Sequence, residues 1–111
     1  MVVETQLPDD EVDRIFRALA DATRRDIVRR TLTAQASVSE LAGAYAMSFA
    51  AVQKHVSVLE EAGLVSKRTQ GRERIVTANP ASIAHARALL DQYELLWRSR
   101  VDRLDGLLVD G

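Results

Sequence analysis

Apolar side chains recur along this chain first at helical and then at strand spacing, and the changes of period divide it into a short series of elements. From Asp9, the residues Val12, Ile15, Phe16 and Leu19 fall three and four apart. That predicts a first helix, with acids in the opening turn where they complement the helix dipole. Asp21 in ALADATRRDIV has the character of an N-cap. A second helix is therefore expected to turn Ile27, Val28 and Leu32 inward and to leave Arg24, Arg25, Arg29 and Arg30 as a solvated face. Ser37-x-x-Glu40 has capping-box spacing and opens a short third helix running to about Ala46, with Met47 at the corner. Ser48 then caps a fourth helix with Val52, Val56 and Leu59 on its core face, which stops at Ala62-Gly63 where glycine accepts a left-handed backbone.

After Gly63 the period changes. LVSKRTQGRERIVTA reads as two short strands, with Val65, Ile75 and Val76 as β-formers around a turn at Thr69, Gln70, Gly71 and Arg72. Asn79-Pro80 starts a last helix over 80–108, in which Ile83, Leu90, Tyr93, Trp97, Val101, Leu104 and Leu108 alternate at three and four. At 1.5 Å of rise per residue this helix is roughly 40 Å long, more than a domain of this size can cover. Leu89 and Leu96 widen its apolar stripe, so it is expected to pack on its own domain along one side and on a second copy along the other. The first seven residues have no period and are expected to fray. The architecture expected is one domain over 1–111, mainly α with a small β-hairpin, made of a core over 9–78 and a dimerisation helix over 80–108.

Composition narrows the function. A chain of 111 residues with no cysteine has no disulfide, no thiolate metal site and no thiol switch. No window approaches the ~20 apolar residues that span a bilayer, and the N-terminus lacks the pattern of a signal peptide, so a cytoplasmic protein without membrane contact is expected. The net charge of −1 hides a segregation: every charged residue before Arg14 is acidic, whereas Lys67, Arg68, Arg72 and Arg74 stand against the single Glu73 in the hairpin.

The outer face of the fourth helix carries Ala50, Lys54, Ser57 and Glu61, with Gln53 on the flank. Its N-terminal half is small and hydrogen-bonding, as a helix entering a major groove about 12 Å wide requires. Glu60 and Glu61 would be repelled by phosphates, so only the half from Ser48 to Ser57 is expected to lie close to DNA. A corner-linked helix pair followed directly by a hairpin bearing Arg68, Arg72 and Arg74 points to nucleic-acid binding. The competing class is a dimeric protein-interaction module on the same scaffold.

The run from Ile15 to Asn79, with ALADATRRDIV, SVSELA, VQKHVSVLEEAGLV and QGRERIVTANP in order, closely resembles the arsenical-resistance-repressor (ArsR) family of transcription regulators. The ending YELLWRSRVDRLDGLL is similar to the branch of that family called SdpR-like. The resemblance implies a winged helix-turn-helix with a long C-terminal dimerisation helix. It also implies a homodimer held by the first and last helices, Phe16 included, that binds a pseudo-palindromic double-stranded DNA operator as a repressor. Carried over by position, Ser48 matches the residue that caps the recognition helix and touches phosphate. Gln53 and Lys54 match the pair that reaches base edges, His55 a common histidine facing the DNA backbone, and Arg72 the wing arginine after Gly71. The chain departs from the family pattern at Phe49, Ala50 and Ala51, where polar residues are more usual. Ala50 suits a thymine methyl, and Phe49, on the border of the core face, is expected to be packing.

Metal-sensing relatives carry cysteines just after the Glu-Leu of the third helix, and here that segment reads Glu40-Leu41-Ala42-Gly43-Ala44. A second family site on the last helix would retain only His85, Asp91 and Glu94, which read as a solvated face. No metal or other cofactor is expected. His55 and His85 are the only imidazoles, neither lies in a nucleophile context, and there is no Gly-rich phosphate loop, so the chain is not expected to be an enzyme. Trp97 is expected in the core or the dimer seam, and the effector is left open.

Overall fold

The computed structural model describes residues 7–110, with side chains described through Leu107. The chain runs α1 (Asp9–Leu19), α2 (Ala22–Thr33), β1 (Ala36–Ser37), α3 (Val38–Gly43), α4 (Phe49–Glu61), β2 (Val65–Gln70), β3 (Glu73–Ala78) and α5 (Pro80–Asp110). Most of the expected fraying segment, and the side chain of Leu108, lie outside the described residues.

In α1, the acids Asp9, Asp10 and Glu11 occupy the first turn, and Ile15 and Ala18 are buried. Asp21 caps α2 as expected, its carboxylate accepting the Arg24 backbone N–H at 3.0 Å. The inward face of α2 is not quite the expected one. Ile27 and Val28 are buried, but Leu32 is 49% exposed and Thr31 takes the inward position. Helical spacing explains the change: Ile27, Val28 and Thr31 share a face, and Leu32 lies further round the helix. Thr31 tolerates burial because its hydroxyl donates within the helix, to Ile27 O at 2.9 Å and Val28 O at 3.1 Å.

The arginines of α2 are also more than a solvated face. Arg24 is half-buried and donates to Ala18 O and Arg17 O, and Arg25 donates to Leu19 O at 2.7 Å. Both thereby satisfy the open carbonyls at the end of α1. Arg29 and Arg30 pair with Asp26.

The capping box of α3 forms in full, with Ser37 and Glu40 each accepting the other's backbone N–H. The helix ends at Gly43 rather than near Ala46, because the chain tightens into three-residue turns in which Ala44 N–H donates to Leu41 O and Tyr45 N–H to Ala42 O. β1 was not expected. Its two residues pair antiparallel with β3 (Ala36 opposite Val76, Ser37 opposite Ile75), giving a sheet of order β1-β3-β2. This central position of β3 buries both Ile75 and Val76. The hairpin is longer and tighter than expected. Gln70 pairs with Glu73, leaving a two-residue loop of Gly71 and Arg72, and the φ of +64° at Gly71 fits a type II′ turn.

Val52, Val56 and Leu59 of α4 are fully buried and join Ile15, Ile27, Leu41, Leu64 and Val76 in one core. α4 ends in a Schellman motif: Leu64 N–H donates to Leu59 O, Gly63 N–H to Glu60 O, and Gly63 has φ +78°. The carbonyl of Gly63 then accepts from Asn79 Nδ2 at 3.0 Å and from Ser82 Oγ at 2.6 Å, tying the end of α4 to the start of α5.

α5 spans 31 residues, about 46 Å at helical rise, in a molecule whose longest axis is 69 Å. Ile83 and Ala86 pack against the core, whereas Leu90, Tyr93, Leu95, Leu96, Trp97, Leu104 and Leu107 are exposed. Among the described residues no helix is long and apolar enough to cross a membrane.

Candidate nucleic-acid interface

The start of α4 is built by Ser48, whose Oγ accepts the Ala51 N–H at 3.1 Å. Beyond this cap Ala50 and Lys54 are exposed, and Gln53 and Ser57 are half-buried on the same outward side. The helix carries no acid in its first turn. The Lys54 side chain has no ion pair or hydrogen bond among the described residues. Phe49 departs from expectation: it is 50% exposed and is not among the residues packed on the core. Phe49 opens the helix, and burial on α4 begins only at Val52, three residues on.

His55 is half-buried and turns its Nδ1 edge back into the protein. Its Nδ1 lies 3.2 Å from Arg24 Nη1 and 3.9 Å from Asp21 Oδ2. Since the guanidinium can only donate, the contact requires a bare Nδ1 and puts the neutral ring's hydrogen on Nε2. The Arg24 backbone N–H, with the Arg24 charge adding to it, holds the Asp21 carboxyl below its ordinary value.

The turn before α4 is fastened to α2. Tyr45 OH donates to Asp26 Oδ2, Arg29 and Arg30 donate to the same carboxylate, and the Arg30 guanidinium lies 5.5 Å from the centre of the Tyr45 ring. These donors, the Tyr45 hydroxyl foremost, hold the Asp26 carboxyl far below the usual carboxylate range. Burial, together with the bond to Asp26, pushes Tyr45 up to about 12. No periodicity in the sequence announces this cluster. The spacing of Asp26 to Arg29 and Arg30 suggests a helix-surface pair, but nothing local places Tyr45 against it.

In the hairpin, Arg68 donates to the side-chain oxygens of Gln70 and Gln35, each at 3.0 Å. Both partners are neutral, so its charge is aimed but not cancelled. Lys67, by contrast, pairs with Glu60 at 3.4 Å. Arg72 in the turn and Arg74 on β3 are exposed and have neither ion pair nor side-chain hydrogen bond among the described residues. Arg68 and Arg74 border one shallow depression together with Lys67, Thr69 and Glu60. Gln35, which orients Arg68 across 33 positions of sequence, was missed because the contact is long-range.

Of the side chains expected at a dimer seam, Phe16, Leu90, Tyr93, Trp97 and Leu104 are exposed and Val101 is half-buried. Arg100 lies 5.8 Å from the centre of the Trp97 ring, and Trp97 is 59% exposed rather than in the core. Asp91 pairs with Arg87 one turn before it and Glu94 with Arg98 one turn after, while His85 lines a cleft of about 280 Å³ between α1 and α5, with Val12, Phe16, Leu89 and Tyr93.

Residues 21–67 match the model of the bacterial regulatory protein arsR family. The chain is 41% identical over 81 residues to the HTH-type transcriptional regulator Rv2034 of Mycobacterium tuberculosis, an alignment covering 73% of this chain and 76% of the relative. Its fold is similar to the crystal structure of the ArsR family transcriptional regulator RHA00566, with a TM-score of 0.80 and 33% identity over 86% of this chain and 98% of the other. It is also similar in fold to the solution structure of the homodimeric winged helix-turn-helix DNA-binding domain of Mb0332 from Mycobacterium bovis, with a TM-score of 0.64 and 23% identity over 85% and 90% of the two chains. The α3–turn–α4 pair, the β2–β3 wing and the likeness over most of the chain lead to one conclusion: this protein belongs to the arsR family of bacterial regulatory proteins and is a transcriptional regulator with a winged helix-turn-helix fold, not an enzyme.

Proposed function

We propose that the protein is a cytoplasmic, homodimeric, sequence-specific DNA-binding repressor that pairs through α1 and α5 and presents two copies of α4 to a pseudo-palindromic operator. The observation that carries this reading is where the uncancelled cations lie. Among the described residues, Lys54, Arg72 and Arg74 have no intramolecular partner and Arg68 is held by neutral amides, whereas Arg14, Arg29, Arg30, Lys67, Arg87 and Arg98 each sit against a carboxylate and Arg24 and Arg25 are taken up by carbonyls; away from α4 and the wing, only Arg17 on α1 and Arg100 and Arg103 on α5 also lack a carboxylate. In a chain of net charge −1, cations left open beside a groove-sized helix fit phosphates.

In this arrangement Ser48 and the Nε2–H of His55 face phosphate, and Gln53 and Lys54 reach base edges. Ala50 and Ser57 line the contact, and Arg68, Arg72 and Arg74 hold the flanking backbone. Pairing is supported by the exposed apolar side of α5 and by the homodimeric description of the Mycobacterium bovis domain. The same reading leaves out the family's metal sensing. The chain has no cysteine, and Asp91 and Glu94 are engaged by arginines.

The test is recovery of genomic fragments by the purified protein, followed by titration of affinity against salt. A repressor of this kind selects a two-part site and loses affinity steeply as salt rises. Binding to no duplex, or an affinity indifferent to salt, would instead favour a protein-interaction module.

A further inference from the structure

Among the described residues, large exposed apolar side chains fall into two groups. Most lie on α1 and α5; outside those helices only Leu32, Met47 and Phe49 remain. Met47 and Phe49 flank the cap of α4 in sequence, at 36% and 50% exposure, and neither packs on the core. Next to them stand Ala46 and Ala50, both exposed, so the leading end of α4 is an apolar tip. Exposing a phenylalanine and a methionine together is costly in water, and the dimer proposed through α1 and α5 does not cover this end of the chain.

Resting on the DNA-binding reading above, we propose that Phe49, with Met47 beside it, is a specificity-determining side chain that packs against thymine methyl groups in the major groove. The apolar tip is continuous with the proposed interface: Phe49 lies four positions before Gln53 and five before Lys54 on the same helix, which places them on neighbouring turns. The C5-methyl of thymine is the apolar feature of the major-groove edge and the natural counterpart of an aromatic or thioether side chain. The cap hydrogen bond from Ala51 N–H to Ser48 Oγ fixes the first turn and so fixes where Phe49 starts. The protein would then read hydrogen-bonding edges with Gln53 and Lys54, and methyl groups with Phe49.

The test crosses one protein change with one atomic change in DNA. Operators selected from a random pool by the parent protein are resynthesised with deoxyuridine at single thymines, which removes only the methyl. Affinities of the parent and of Phe49→Ala are measured on each. The proposal expects at least one thymine in each half-site where deoxyuridine weakens the parent about fourfold, the factor for losing one buried methyl's apolar contact, and leaves Phe49→Ala unchanged. Equal deoxyuridine effects on both proteins, or none on the parent, overturn the proposal while leaving the regulator reading intact. A Phe49→Ala protein that keeps the parent's readout but changes oligomeric state assigns the tip to protein contact and also overturns it. If the parent selects no sequence at all, both readings fall together. The deoxyuridine series on the parent needs no variant, so misfolding of Phe49→Ala does not shelter the idea.

Discussion

Replacing Arg72 by alanine isolates the electrostatic part of the proposed interface. Each wing carries three arginines that no carboxylate among the described residues pairs with: Arg68, held by Gln35 and Gln70, and Arg72 and Arg74, without partners there. If all three meet phosphates, a dimer neutralises about six, and the slope of log affinity against log salt is about −5.4; removing Arg72 from both protomers leaves about four and a slope near −3.6. Between 50 and 200 mM salt the parent then loses roughly 2,000-fold in affinity and the variant roughly 150-fold. Fluorescence anisotropy on one selected operator and one scrambled duplex, over a series of salt concentrations, reads both slopes. Arg72 lies in a two-residue turn with its side chain exposed, so its loss should leave the fold intact and weaken both duplexes alike. An unchanged slope, or a loss confined to the operator, would show that Arg72 does not meet phosphate as argued.

Lys54→Ala is expected to act differently, shrinking the gap between operator and a mismatched duplex by about 1–3 kcal/mol, measurable by competition binding. Equal weakening on both duplexes would reassign Lys54 to the backbone. Trp97→Glu on the exposed side of α5 should raise the dimer dissociation constant by roughly 30-fold or more in sedimentation equilibrium, the factor for a hot-spot residue worth 2 kcal/mol; a dimer as tight as the parent's removes α5 from the seam. Tyr45→Phe takes from Asp26 the foremost donor that depresses its carboxyl. A depressed carboxyl stabilises the fold above its ordinary value near 3.9, and that contribution is lost as pH falls below it; the variant should therefore begin acid unfolding at higher pH than the parent. The raised phenol works at the other end: its bond to Asp26 is in place below the ordinary tyrosine value of about 10 and is lost as pH rises through about 12. The late phenolate absorbance step should thus vanish in Tyr45→Phe. Gly63→Ala should cost about 1–2 kcal/mol in urea unfolding, since its φ of +78° is one that a side chain resists; a neutral result would mean that the Schellman turn relaxes.

Much of this architecture was legible because it rests on local chemistry. Asp21, Ser37 with Glu40, and Ser48 mark helix starts by what their side chains accept, Gly63 marks a stop, and the spacing of Val52, Val56 and Leu59 defines the core face of α4. Misreadings arose where a residue's fate depends on distant neighbours. Leu32 was assigned inward by type, but an internally bonded Thr31 holds the better angle. Phe49 lies on the border of the core face, yet no element extends far enough to cover it. A two-residue strand such as β1 has too few positions to alternate, so only its partner β3 reveals it. At the candidate site, the identity of the exposed residues on α4 could be read from the helical wheel. The contacts of Arg24 with His55, of Tyr45 with Asp26 and of Gln35 with Arg68 bridge separate elements and leave no periodic trace.

The oxygen of Gly63 receives Asn79 and Ser82 from the entry of α5 while its own residue closes α4. One atom thus ties the end of α4 to the start of α5, and a stiff tie there would make the two helices a bent lever with its fulcrum at residue 63. In the proposed pair, a small change in the crossing of the two long arms would swing both short arms together. The distance between the two contacted grooves would then be governed from the far end of the molecule, and a mutation deep in the coil could retune operator spacing without touching DNA.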